Sequence, residues 1–195
     1  METIRAFIAI ELPSELRQQL ARLQAKLKSS NQPRIKWVNP DGIHLTLKFL
    51  GNTPISDVDR ITQAMTDAAK RTTPFHLETE SLGAFPNLKR VQVVWVGLGG
   101  EVDKLKQLQQ LVENNLAQLG FAAEQRQFKP HLTLARLDRE AKPGERQRLG
   151  ELIASINLEM VGRIEVDSIN LIRSQLTREG AFYTRISSAE FLKQP

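Results

Sequence analysis

The segment His44-Leu-Thr-Leu-Lys-Phe-Leu-Gly51 returns later in the chain as His131-Leu-Thr-Leu-Ala-Arg-Leu137, and no other feature restricts the possible folds as much. Each copy is short, apolar and threonine-containing, the pattern of a β-strand, in which side chains two apart share a face. Histidine and threonine therefore point one way, while Leu45 with Leu47, or Leu132 with Leu134, point the other way into a core. A single copy would read as a half-buried sheet strand with a capped histidine. Two copies ask for a fold that uses the strand twice.

The surroundings repeat as well. Ile4 to Ile10 has strand character, Leu16, Leu20, Leu23 and Leu27 recur at helical spacing, and the polar run 29–33 closes that helix. Trp37 and an Asn39-Pro-Asp-Gly42 turn lead into the first histidine strand. Ser56 with Asp59 reads as a capping pair for a helix with Val58, Ile61, Met65 and Ala68 on its apolar face, and Phe75 to Leu82 is again strand-like. The order then recurs: a strand from Arg90 to Leu98, a helix from Val102 to Leu119 that Gly120 can terminate, the second histidine strand, a helix around Leu149, Ile153 and Ile156, and a strand from Ile164 to Ile172. Arg5-Ala-Phe-Ile-Ala-Ile10, moved by the offset of the two histidines, falls on Gln92-Val-Val-Trp-Val-Gly97. A last strand, Phe182 to Ile186, follows a loop from Ser174 to Gly180.

The expected fold is α+β: one domain over residues 1–195, with internal repeats at 4–82 and 90–172 forming a duplicated, two-lobed structure. Two antiparallel-rich sheets would face a central cleft with helices on the outer faces, so that His44 and His131 meet across it.

Composition removes several function classes. The chain has no cysteine, which excludes disulfides, thiolate metal sites and a cysteine nucleophile. No apolar run approaches the roughly 18–20 residues that span a bilayer, and the N-terminal apolar run carries an acidic residue and no cleavage site. A cytoplasmic monomer without membrane contact is expected. The net charge of +5 suits a polyanionic partner and equally a solvated basic surface. A zinc site built from the three histidines would lack their usual local spacing, and Gly97-Leu-Gly-Gly100 fails as a phosphate loop at Val102. Neither metal nor cofactor is expected, and His76, outside both motifs, reads as structural.

Two imidazoles facing each other supply a base and an acid near neutral pH. In-line hydrolysis of a phosphodiester needs that pair, one to take a proton from water and one to give a proton to the departing oxygen. Thr46 and Thr133 can donate to the non-bridging oxygens, and Lys48 or Arg136 can offset developing charge. Strict alternation puts Lys48 in phase with His44 and Thr46, whereas Ala135 holds the in-phase place after Thr133. Arg136 reaches the site only if its strand bulges after Leu134. Trp37, Phe85, Phe128 and Tyr183 lie near the expected cleft, as base-stacking platforms or as core.

The paired His-x-Thr-x strands resemble the signatures of the two-histidine phosphoesterase superfamily. Within it, Arg5-Ala-Phe-Ile-Ala-Ile10, His44 to Gly51, Leu82-Gly-Ala-Phe-Pro-Asn87 and Phe128-Lys-Pro-His-Leu-Thr-Leu-Ala-Arg136 resemble the RNA 2′,3′-cyclic phosphodiesterases, also called 2′-5′ RNA ligases, from residue 4 to about residue 186. The resemblance implies hydrolysis of RNA 2′,3′-cyclic phosphate ends, tRNA fragments among them, to 2′-phosphomonoesters, with His44 as proton donor and His131 as acceptor. It favours Arg136 as the larger phosphate contact, with Lys48, which strand alternation favours, assisting, and implies a secondary 2′-5′ joining activity. Two other readings stay open: a noncatalytic binder of RNA ends and an esterase for small cyclic nucleotides.

Overall fold

The structure is a computed structural model that describes residues 2–28, 34–158, 162–177 and 180–192. Its elements run β1 (Thr3–Glu11), α1 (Ser14–Lys28), β2 (Ile35–Trp37), β3 (His44–Pro54), α2 (Val58–Ala69), β4 (Phe75–Phe85), β5 (Val93–Gly100), α3 (Val102–Ala117), β6 (His131–Leu137), α4 (Pro143–Ser155), β7 (Arg163–Val166), β8 (Ser168–Thr177) and β9 (Gly180–Glu190). The strands form two antiparallel sheets, ordered β3-β1-β8-β9 and β2-β6-β5-β4-β7. The α+β class and the pair of sheets are those expected from the periodicities.

The two sheets exchange strands. β1 and β3 of the first half take β8 from the second, and β5 and β6 of the second half take β4 from the first. Helices follow the same plan. The Gln24 side chain of α1 donates to the carbonyls of Val38 and Leu134 at 2.8 and 2.9 Å, which ties α1 to the β6 sheet. Glu113 of α3 meets Lys48 of β3, which ties α3 to the other. Each half thus closes the sheet of its counterpart and neither is a lobe by itself.

This exchange explains where sequence spacing drew boundaries too simply. Ile164 to Ile172 is not one strand: it breaks at Asp167, whose carbonyl accepts from the Phe191 N–H at 2.7 Å, and the chain crosses from the edge of β4 to the edge of β1. The expected loop from Ser174 to Gly180 is largely hairpin, with Ser174 paired to Tyr183 and Thr177 to Gly180. Trp37 lies in a short strand paired with β6. Helix α2 starts after a 3₁₀ turn, Ile55–Asp57, without a side-chain cap, so Ser56 and Asp59 do not form the expected pair. The run 29–33 lies outside the described residues.

The helices are held as their periodicity requires. Leu16, Leu20, Leu23 and Leu27 of α1 and Leu105, Leu108, Val112 and Leu116 of α3 are buried. Past α3, Gly120 takes a φ of 90° as the Phe121 N–H turns back to the Leu116 carbonyl at 3.2 Å. His76 sits on β4 with Nδ1 2.7 Å from Glu101 Oε2. Lys104 and the His76 N–H hold the Glu101 carboxyl down at about 2. Among the described residues no helix is long and apolar enough to cross a membrane.

Candidate active site

Register builds the site. Along β1 and β3, Glu11 pairs with His44 and Ala9 with Thr46, but the next pairs are Ile8 with Lys48 and Phe7 with Phe49, which leaves Leu47 as an extra residue. Along β5 and β6, Gly97 pairs with His131 and Trp95 with Thr133, then Val94 with Ala135 and Val93 with Arg136, which leaves Leu134 extra. A bulge of this kind reverses the alternation beyond it. Leu47 and Lys48 are therefore both buried and Phe49 exposed; Leu134 and Ala135 are both buried and Arg136 exposed.

The consequence for the two cations is opposite. Arg136 is carried onto the face of His131 and Thr133. Lys48 is turned away from His44 and Thr46, only 6% exposed, with Nζ 2.7 Å from Glu113 Oε2 and donating to the Ala122 carbonyl at 2.6 Å. Its expected place beside a phosphate is corrected. Phe49, 65% exposed, occupies the cleft-face position that alternation assigned to Lys48.

Both histidines are oriented alike. His44 Nδ1 lies 2.7 Å from the Gly42 carbonyl, and His131 Nδ1 lies 2.6 Å from the Lys129 carbonyl. A carbonyl only accepts, so each Nδ1 carries the hydrogen and each Nε2 is left for chemistry. Burial pushes both imidazoles below their ordinary value; the carbonyls oppose it at both. Glu11 also pulls His44 up, whereas Arg136 presses His131 down.

Aromatic rings wall the pair. Phe7 stacks on His44 at 4.5 Å, with Tyr183 edge-on at 5.1 Å. Phe85 meets His131 edge-on at 5.0 Å, and Trp95 lies 6.5 Å away. The Trp95 ring covers Gly83, where an added Cβ would come within 2.4 Å of it. Phe7, Ala9 and Ile172, with Tyr183 against them, form a small apolar cluster separate from the main core. Trp37 and Phe128 do not join these walls: both pack against the main core, and the Lys28 ammonium sits 5.4 Å over the Trp37 ring.

The halves meet at this place. β3 and β6 are in direct contact. Burial raises the Tyr183 hydroxyl above its ordinary value, while Arg136 of the opposite sheet and Arg5 draw it down. A ring packed on one histidine thus senses the cation beside the other.

The LigT-like phosphoesterase family model matches the chain twice, over residues 10–95 and 97–183. This chain belongs to the LigT-like phosphoesterases. An RNA 2′,3′-cyclic phosphodiesterase of Methanothermobacter thermautotrophicus is 34% identical over 93% of this chain and 95% of its own length. One from Aeropyrum pernix is 37% identical over 84% and 90%. A Thermus thermophilus crystal structure superposes with a TM-score of 0.79 at 26% identity, covering 96% of this chain and 98% of its own. Escherichia coli LigT complexed with 3′-AMP gives 0.77 at 26%, covering 98% and 100%.

Each match to the LigT-like family contains one histidine strand, and the strand exchange brings the two together. Sequence reasoning missed four residues of the site. Phe7, Trp95 and Glu11 could have been found by carrying the alternation of β3 and β6 onto their neighbours in register. Phe49 could not, because its orientation depends on a bulge that leaves no local mark. Among the described residues no group of three or more His, Asp or Glu is placed to hold a metal ion.

Proposed function

We propose that this LigT-like phosphoesterase hydrolyses 2′,3′-cyclic phosphate ends of RNA to 2′-phosphomonoesters, with His44 as proton donor and His131 as proton acceptor. The observation that carries the reading is the matched carbonyl tie on the two Nδ1 atoms, which leaves both Nε2 atoms available for proton transfer. Relatives named for this activity over nearly the whole chain support the substrate.

In the reaction, His131 Nε2 takes a proton from water as its oxygen attacks phosphorus. The bond from phosphorus to the 3′ oxygen breaks opposite, and that oxygen takes the proton of His44 Nε2. His44 ends neutral and His131 protonated, and solvent resets both. Thr46 and Thr133, half-buried and two residues past each histidine, donate to the non-bridging oxygens. The Arg136 fork neutralises the charge they share. Phe49, Phe85 and Tyr183 offer ring faces and edges to the terminal base.

An oligonucleotide ending in a 2′,3′-cyclic phosphate tests the reading. The product should resist a 3′-specific phosphatase and give the phosphorus NMR signal of a 2′-monoester. A 3′-phosphate would reverse the placement of substrate between the histidines, and absence of turnover with tight binding would leave a binder of RNA ends. Faster turnover of a nucleoside 2′,3′-cyclic phosphate than of the oligonucleotide would favour the small-nucleotide esterase.

The pH dependence follows from burial. The base must be neutral and the acid protonated, so kcat/KM rises through one macroscopic value and falls through another. Because burial lowers both imidazoles in the free protein, the bell should centre below the ordinary imidazole value of about 6.5. Bound phosphate favours the cationic form, so the profile of kcat should lie at higher pH than that of kcat/KM. A profile of kcat/KM rising steadily into the alkaline range would rule out an imidazolium acid.

A further inference from the structure

The duplicated frame gives each histidine the same carbonyl tie, the same threonine two residues on and the same bulge after it. A reaction with one acid and one base needs the two to differ. Two positions break the symmetry. Opposite His44 in register stands Glu11, and opposite His131 stands Gly97. Beyond the bulges, β3 presents Phe49 where β6 presents Arg136. His44 therefore has an anion for its cross-strand neighbour, and His131 has no side chain there and a cation along its own strand.

Glu11 is fixed in place. Arg185 Nε of β9 donates to its Oε2 at 2.6 Å, and Glu11 lines the same small pocket as Gly42, His44 and Tyr183. We propose that Glu11, held by Arg185, is the positioning residue that makes His44 the proton-holding member of the pair. An anion near an imidazole favours its cationic form, whereas the charge that acts on His131 is the cation of Arg136. The other charged or titratable groups that face His44 are Arg17 of α1, Asp41 of the turn before β3, and Tyr183 of β9. Arg17 is committed to the Leu12 carbonyl at 2.9 Å, and burial keeps the Tyr183 phenol neutral at working pH. Asp41 lines the same pocket, and the carboxylate that draws His44 up is that of Glu11. The directions of the two shifts agree: Glu11 draws His44 up against the burial that lowers it, and Arg136 adds to the lowering of His131.

This inference takes its catalytic meaning from the hydrolytic reading above, but its test does not need turnover. The three histidines are titrated by NMR in the wild type, Glu11→Gln and Arg185→Gln, with melting curves to show that each folds. Gln keeps an oxygen for Arg185 and removes the charge. His44 should titrate about 0.5–1 unit lower in Glu11→Gln, with His131 moving by less than about a third as much. Arg185→Gln removes a cation and leaves the carboxylate, so His44 should move the opposite way. In kinetics, Glu11→Gln should pull the alkaline limb of kcat/KM to lower pH, a loss of roughly 3–10-fold on that limb with the acid limb in place. An unmoved His44, an equal shift at His131, or the same direction of shift in both variants would overturn the proposal. Wild-type protein that binds but does not turn over cyclic phosphate, with the titrations as stated, would sink the hydrolytic reading and leave this one standing.

Discussion

Replacing either His44 or His131 with alanine should lower kcat/KM on a cyclic-phosphate oligonucleotide by about 10²–10⁴-fold, the usual worth of one positioned acid or base. The fold should survive. Leu45, Leu47, Leu132 and Leu134 carry the packing of both strands on the opposite face, each at most 4% exposed. His44 also stacks on Phe7, so His44→Ala should lose about 0.5–1.5 kcal/mol of stability, the worth of one aromatic contact. The double variant should be little worse than either single one, because acid and base act in one step. Rates with the single and double variants, beside thermal melts, check this. A His131→Ala protein that keeps more than about a tenth of wild-type kcat/KM would remove His131 from the chemistry.

How much of this was legible in the sequence depends on what kind of signal each residue left. The repeated His-Leu-Thr-Leu strands set the number of sheets and the face on which histidine and threonine lie, because period-two alternation is local. The helices α1 and α3 were legible for the same reason, in a different period. Strand exchange was not: which edge β4 and β8 join depends on partners far away in the chain, and their apolar runs fit either sheet. The bulge at Leu47 was also silent, since an extra buried residue looks in the sequence like any other apolar one; the one at Leu134 was reached only through the arginine that the family resemblance favours. That silence is why alternation alone makes Lys48 a phosphate ligand. The aromatics divide likewise: Phe85 and Tyr183 lie against the histidines, while Trp37, though close in sequence to β3, pairs through β2 with β6 and turns its ring to the core.

Lys48 is therefore expected to matter for folding and not for phosphate. Its ammonium and the Glu113 carboxylate are almost fully withdrawn from water, with side chains 5% and 9% exposed, and Gln109 Nε2 and the Glu124 N–H also donate to that carboxylate. Together they pin α3 and the chain after it under β3. Lys48→Met fills a similar volume but leaves Glu113 buried without its cation, which typically costs about 3–5 kcal/mol. For a chain of this length that is a fall in Tm of roughly 6–20 °C. Pairing it with Glu113→Leu should recover only part of the loss: two apolar groups of matched volume can replace a buried ion pair at little net cost, but Gln109 Nε2 and the Ala122 carbonyl then lose their partners. Kinetics separate this role from a catalytic one. At a temperature where every variant is folded, Lys48→Met should keep kcat/KM within a few-fold of wild type, while Arg136→Ala loses about 10- to 100-fold, the worth of a charge-assisted contact to phosphate. If Lys48→Met lost more than Arg136→Ala under those conditions, β3 would have to run without its bulge when substrate is bound, and the lysine would belong to the phosphate after all.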